Sequence, residues 1–284
     1  AVTGDGVHDC PAHKQADSGV AMCLAGPDVA MDAADMVLLY DNFSTIVAAV
    51  EEGRAIFSNI RKFLGFMLSA NAGLMLTLFL GVLFAGPLGL LEDSRLVLPL
   101  LAVQILWLNM ITNGPPALAL GVDPREADAM TMPPRPRSES VVNREVIRLI
   151  VFVGLVTGLG GLLVLNAYFP GGLITFREHL GIEYARTMTF VVLTLYQLFD
   201  SLNFRDLKHS VLNRRIAGNR WLLAALALSS SLMVAAVHWP PLQVAFHTAP
   251  LLPSDWLIAV AAASVVLWAV ELVKLVARRT GQRQ

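Results

Sequence analysis

The sequence predicts a mainly α protein: a polytopic bundle of six membrane helices, preceded by the end of an α/β domain. Three observations predict it. Of the 284 residues, 55% are hydrophobic and 15% charged, against about 25% charged in an ordinary soluble domain. Six stretches approach or exceed the ~20 apolar residues that cross a bilayer: Ile60–Ala85, Leu96–Val122, Val146–Phe169, Arg186–Phe204, Trp221–Trp239 and Trp256–Ala277. Residues 1–44, by contrast, alternate short apolar runs with a polar helical segment. A very apolar soluble core would not require six segments of membrane length.

The N-terminal part comes first. Val20-Ala21-Met22-Cys23 and Met36-Val37-Leu38-Leu39 are apolar runs of strand length, and Asp28–Ala34 between them reads as a short helix. Strand, helix, strand is the rhythm of a parallel sheet. So short a piece cannot bury a core of its own, so a partner outside this sequence is expected. Cys10 and Cys23 show no CxxC or metal-ligand spacing and read as small packing residues. Ahead of the strands lies Thr3-Gly4-Asp5-Gly6-Val7-His8-Asp9. Gly4 and Gly6 allow tight backbone geometry close to a phosphate. The carboxylates of Asp5 and Asp9 could hold Mg²⁺, which takes oxygen ligands and usually phosphate as well. An ordinary strand-to-helix turn with a capping Asp is the alternative reading of the same residues. An acidic, glycine-rich loop beside a polytopic membrane region suggests transport driven by phosphoryl transfer.

From Ser44 the pattern becomes helical, with Ser44 or Thr45 as cap and Ile46, Val50, Ile56, Phe57 and Ile60 as an apolar stripe. No proline follows until Pro87. A helix of roughly 40 residues would be about 60 Å long and could carry movement from a soluble domain to a membrane site. The Pro- and charge-rich stretch from Asp123 to Arg144, with Met132-Pro133-Pro134-Arg135-Pro136, reads as a solvated connector.

The net charge of −1 decides nothing, but the placement of Lys and Arg does. Short cytoplasmic loops carry the excess of basic residues. Arg54, Arg61 and Lys62 precede the first span. Arg125, Arg135, Arg137, Arg144 and Arg148 separate the second from the third. Arg205, Lys208, Arg214, Arg215 and Arg220 separate the fourth from the fifth, and Lys274, Arg278, Arg279 and Arg283 follow the sixth. The opposite loops hold only Arg95, Arg177 and Arg186. An integral, multi-pass protein with both termini cytoplasmic is expected, with the lipid bilayer as its surroundings and no nucleic-acid partner.

Polar side chains inside a bilayer are costly and often mark a pathway. The first span carries Ser69, Asn71 and Thr77; the second carries Gln104, Asn109, Thr112 and Asn113, followed by Gly114-Pro115-Pro116. Asn109, Thr112 and Asn113 share a helix face by their spacing. Pro115 and Pro116 remove N–H donors, which predicts that the carbonyls of Ile111 and Thr112 lose their helical partners. Freed carbonyls and amide oxygens at mid-membrane bind cations; hydrogen bonding between spans is the competing role. Asp200 and Glu271 read as interfacial and structural, with Glu271 and Lys274 at ion-pair spacing. His238 and His247 read as solvated.

Several of these segments carry a resemblance. Thr3-Gly4-Asp5-Gly6-Val7-His8-Asp9-Cys10-Pro11-Ala12 resembles the TGDGVNDAPA hinge segment of P-type ATPases. Gly19-Val20-Ala21-Met22, Ala33-Ala34-Asp35-Met36-Val37-Leu38, Asp41-Asn42-Phe43-Ser44-Thr45-Ile46-Val47 and Glu51-Glu52-Gly53-Arg54 follow in the order typical of the type II, calcium-pump-like branch. Gln104–Asn109 and Gly114–Gly121 continue it in the membrane part, so the resemblance covers essentially the whole chain. It implies an ATP-driven cation pump using ATP and Mg²⁺. Residues 1–44 would be the end of its α/β, HAD-like phosphorylation domain, and residues 45–284 its stalk helix and the last six of ten spans. Asp5 would be the Mg²⁺-binding aspartate and Asp9 the hinge aspartate, with His8 at a phosphate-binding position and Gly4 and Gly6 shaping the loop. Asn71, Asn109, Thr112 and Asn113 map onto cation-site positions, for Ca²⁺ or another mono- or divalent cation. The phosphorylated Asp of a DKTGT motif, the nucleotide and actuator domains and the first four spans are not in this sequence, so the chain alone is not expected to hydrolyse ATP.

Departures from the family pattern are equally specific. His8 stands for Asn and His13 for Leu. Leu74 and Gln197 stand where two-site calcium pumps have Glu, and Asn113 where they have Asp. A site without carboxylates leaves a divalent ion poorly neutralised at low dielectric, which argues against two-ion calcium transport. The alternatives are a truncated, non-enzymatic membrane module and, more weakly, a secondary transporter or channel.

Overall fold

A computed structural model describes the chain except residues 25, 41, 93–94, 127–128, 132, 135, 137–138, 175–179, 208–209, 211–217 and 282–284. Asp41, Met132, Arg135, Arg137, Arg177, Lys208, Arg214, Arg215 and Arg283, named above, lie outside the described residues. The chain divides into two compact units, Ala1–Ile56 with Arg125–Pro134, and Phe57–Pro124 with Arg135–Gln284.

In the first unit, β1 (Val2–Gly4), β2 (Gly19–Met22) and β3 (Met36–Leu38) form a parallel sheet in the order β1-β2-β3. A 3-10 turn (Val7–Asp9), α1 (Cys10–Gln15) and α2 (Asp28–Ala33) make the connections. Helix and strand bounds fall within a residue or two of the expected ones. Val20, Met22 and Leu38 form a small core. His13 is also buried at 1% exposure, and neither ring nitrogen has a hydrogen-bond partner. An imidazole thus occupies an apolar position. Arg54 Nη1 donates to the Ala129 carbonyl at 2.8 Å, and Arg125 pairs with Glu51 and Glu52.

The long helix α3 runs Ser44–Leu83, 40 residues, as its lack of proline predicts. Its start is held by Asn42, whose Oδ1 accepts from Ser44 N at 3.0 Å and Ser44 Oγ at 2.9 Å. The cap therefore comes from a residue two positions ahead of the expected Ser44.

The second unit holds the rest: α4 (Ala102–Trp107), a π-helical turn (Leu108–Thr112), α5 (Gly114–Gly121), α6 (Arg144–Tyr168), α7 (Ile182–Arg205), α8 (Arg220–His238), α9 (Pro240–Phe246) and α10 (Pro253–Gly281). Four helices are long and apolar enough to cross a membrane: Ser44–Leu83, Arg144–Tyr168, Arg220–His238 and Pro253–Val276. The other two expected spans have a different character. The second is interrupted at its π turn. The fourth, α7, is the buried centre of the unit, and Thr187, Thr189, Thr194, Gln197, Asp200, Ser201 and Asn203 are all buried along it. Thr187, Thr189 and Thr194 return their hydroxyls to the carbonyls four residues back, which lets an otherwise costly residue type sit inside.

Small residues set how close α3 and α6 approach. A Cβ on Gly154 would meet Ala72 Cβ at 3.0 Å, and one on Gly158 would meet Leu76 Cβ at 2.8 Å. Thr77 Oγ1 lies 3.1 Å from the Gly158 carbonyl oxygen. Gly154 and Gly158 are the small-xxx-small spacing that brings membrane helices together.

At one end, Asp123 ties four elements together. It is 8% exposed; Lys62 Nζ lies 3.0 Å from Oδ2, and Arg205 Nε (3.1 Å) and Asn219 Nδ2 (2.8 Å) from Oδ1. The connector expected to be solvated thus begins with a buried anchor, because its carboxylate has two cations to meet. Near the opposite ends of α6, α7 and α10, buried Asp255 accepts hydrogen bonds from Tyr168 (3.0 Å) and Tyr184.

Candidate cation site and phosphate-type loop

The loop after β1 is built around Asp9. Its Oδ2 accepts from Asp5 N at 3.1 Å and Gly6 N at 3.0 Å. A Cβ on Gly4 would lie 2.6 Å from Asp9 Cγ, so only glycine lets the carboxylate fold back under the loop. This leaves Asp5 and His8 with exposed side chains. No hydrogen bond or ion pair to a described residue engages the Asp5 carboxylate. Asp9 thus shapes the loop while Asp5 offers its oxygens to solvent. A free carboxylate beside a glycine-rich turn fits Mg²⁺, a hard cation that takes oxygen ligands.

In the second unit the chain breaks where the two prolines predict. α4 widens into the π turn, Asn113 N donates to the Leu108 carbonyl at 3.0 Å, and a new helix starts at Gly114. Such π turns are frequent at functional sites. Thr112 and Asn113 are fully buried, and Thr112 Oγ1 and Asn113 Oδ1 have no hydrogen-bond partner. Asn113 Nδ2 reaches Asn109 Oδ1 at 3.5 Å, so these two side chains do meet. Asn71 stands on α3 and turns its amide back to the Met67 carbonyl at 2.9 Å. One expectation needs correction. The Ile111 carbonyl, deprived of its helical donor, accepts from Ser229 Oγ on α8 at 3.0 Å. A neighbouring helix supplies what the proline took away.

The other polar residues of these spans serve structure. Gln104 Oε1 accepts from Leu101 N at 3.0 Å and Gln104 Nε2 donates to Phe246 O at 3.1 Å. Thr77 bonds within α3 and to α6. His238 and His247 are exposed as expected. Glu271 and Lys274 do pair, at 3.5 Å, but Lys274 is only 5% exposed and also donates to the Asn203 carbonyl. Asp200 departs furthest from its expected place: it is 1% exposed, not interfacial. Its Oδ2 accepts from Ser69 Oγ at 2.5 Å. No local sequence signal separates this Asp from an interfacial one, since its depth follows from how α7 is enclosed. Among the described residues, no group of three or more His, Cys, Asp or Glu could hold a metal ion.

A long helix entering an apolar bundle, a broken helix with buried unpartnered oxygens and an acidic glycine loop define an integral membrane protein of the ion-translocating kind. The family model for "Cation transporting ATPase, C-terminus" matches residues 97–276, and the chain belongs to that family. It is 38% identical to a calcium-transporting ATPase of Bacillus subtilis over 265 residues, 93% of this chain and 28% of that protein. It is 40% identical to calcium-transporting ATPase 1 of Bacillus cereus, over 96% of this chain and 31% of that one. With human calcium-transporting ATPase type 2C member 1 the identity is 36%, over 98% and 28%. The chain thus corresponds to the C-terminal portion of P-type ATPases and spans under a third of the length of these relatives.

Proposed function

We propose that this chain is the C-terminal part of an ATP-driven pump that moves a cation across a membrane, and that Asn109, Thr112, Asn113 and Asn71 contribute to its cation site. The observation that carries the reading is the π turn. It holds two buried, unpartnered oxygens, Thr112 Oγ1 and Asn113 Oδ1, at the one place where the helix is broken. Unwound backbone with inward oxygens is how membrane helices coordinate cations.

In this reading all six apolar segments span the bilayer, with both termini cytoplasmic, and residues 1–44 end a HAD-like phosphorylation domain. The α4–π–α5 span crosses as a broken helix and α7 as a helix shielded from lipid by its neighbours. Asp5 would hold Mg²⁺, which supplies positive charge to orient a phosphoryl group. Asp9 fixes the loop through the N–H groups of Asp5 and Gly6, and His8 presents an imidazole donor beside it. ATP and the phosphorylated Asp belong to parts of the pump outside this chain. Neutral Leu74, Asn113 and Gln197 favour a single divalent ion or a monovalent ion over two Ca²⁺ ions.

The test is cation-dependent phosphorylation from ATP in the complete pump. Asn109→Ala is expected to raise the cation concentration for half-maximal phosphorylation at least tenfold. Unchanged cation dependence removes Asn109 from the site. Absence of phosphorylation in the complete protein overturns the pump reading and leaves a non-enzymatic membrane module.

A further inference from the structure

Asp200 has a place in the fold that neither its sequence context nor the cation cluster on the π turn explains. It is buried at 1% exposure, and among the described residues no cation lies within ion-pair distance. Its nearest donor is the neutral hydroxyl of Ser69, 2.5 Å from Oδ2. That hydroxyl also lies 2.9 Å from the Phe66 carbonyl oxygen, and its one proton serves one acceptor at a time. The other carboxylate oxygen, Oδ1, has no partner at all. A buried carboxylate so poorly matched keeps most of its desolvation cost.

The carboxylate borders a small cavity with about 10 Å³ of room for the centre of a water-sized particle. That is the order of space one water, or one small ion, requires. Leu74 from α3, Thr157 from α6 and Tyr196, Gln197 and Asp200 from α7 line it. Gln197 Oε1 is buried and unpartnered, like Asp200 Oδ1. Gln197 and Asp200 are three residues apart, so both lie on the same face of α7. Two acceptor oxygens, one of them on a carboxylate, therefore border the same cavity without donors. Oxygens gathered without donors suit a cation, whose charge offsets the cost that Ser69 leaves uncompensated.

We infer that Asp200, with Gln197 and Ser69, forms a cation-binding subsite that supplies the negative charge missing at Leu74, Asn113 and Gln197. Two of those three neutral positions, Leu74 and Gln197, line the same cavity. The acid sits one helical turn from Gln197. The inference rests on the pump reading and deepens it, by placing a carboxylate from α7 in the cation path.

Asp200→Asn keeps the size of the side chain and removes only the charge, so it relieves the fold of a buried charge. The complete pump carrying this change, Ser69→Ala or Asn109→Ala is compared with the unaltered protein. Phosphorylation from ATP is measured while Ca²⁺, Na⁺ and K⁺ are titrated separately, and ATP affinity is the control. Asp200→Asn is expected to raise the half-maximal concentration of the active cation tenfold or more without changing ATP affinity. Ser69→Ala is expected to raise it about threefold, since one neutral ligand is lost and the charge kept. If Asn109→Ala weakens cation dependence while Asp200→Asn and Ser69→Ala stay within twofold of the unaltered pump, the subsite is overturned and the pump reading stands. If the unaltered pump shows no cation dependence, both fall.

Discussion

Lys62 Nζ and Asp123 Oδ2 lie 3.0 Å apart with both side chains at 5% exposure or less, across 61 residues of sequence. Lys62 sits on α3 and Asp123 just after α5, so the pair clamps the long helix to the end of the broken one. Arg205 and Asn219 bring α7 and the start of α8 to the same carboxylate.

Asp123→Ala leaves two cationic groups buried without their anion. Breaking a buried pair from one side costs about 3–5 kcal/mol. Thermal unfolding in detergent should show a large loss of stability for Asp123→Ala and a similar one for Lys62→Ala. Equal stability of both variants and the parent would show that the cluster does not hold these helices.

Ser229→Ala removes the hydroxyl that meets the Ile111 carbonyl. The expected cost is about 1 kcal/mol for a lost neutral hydrogen bond. In the complete pump a shift in cation affinity should accompany it, because the carbonyl lies within the π turn. A stability loss with unchanged cation affinity would confine Ser229 to packing.

Gly158→Leu should disrupt the α3–α6 approach, since a Cβ alone already meets Leu76 at 2.8 Å. Overpacking of this kind costs about 1–3 kcal/mol. Gly53, exposed on α3 with nothing within 4 Å of where a Cβ would stand, is the matched control. Gly53→Ala should gain roughly 0.5–1 kcal/mol.

His13→Leu should stabilise the sheet unit. The native imidazole is buried with both nitrogens unpartnered, a cost of about 1–3 kcal/mol. Higher resistance to limited proteolysis of residues 1–40 would agree, and lower resistance would mean that the imidazole has a partner in the complete protein.

Asp9→Asn keeps an oxygen that can accept from Asp5 N and Gly6 N, whereas Asp9→Ala does not. Loop order, read by proteolysis near Gly6, should be kept in Asn and lost in Ala. If phosphorylation falls equally in both, the charge of Asp9 matters beyond its part in the turn.

Much of this architecture was legible in the chain. The three strands, the 40-residue helix and the break at Pro115 and Pro116 all follow from local causes: apolar alternation, the absence of proline and the loss of N–H donors. The starts of α6 and α8 lie a residue or two from the expected positions, although Asn143 and Asn219 announce them. Asn143 Oδ1 accepts from Val146 N and Asn219 Oδ1 from Leu222 N. Gly154 and Gly158 were also readable as a close-packing pair.

What the sequence determined by itself is therefore which segments are helical, where they stop and which polar groups enter the apolar region. Local hydrogen bonding and side-chain sterics decide these within a few residues. Only the tertiary structure decided that Asp123 is an anchor rather than solvated, that Ser229 takes the Ile111 carbonyl and that Asp200 lies buried beside Gln197. Each depends on contacts across about 60 residues or more of chain. Burial and pairing belong to the space between helices, and a one-dimensional pattern carries a residue's face on its own helix but not what the next helix sets against it.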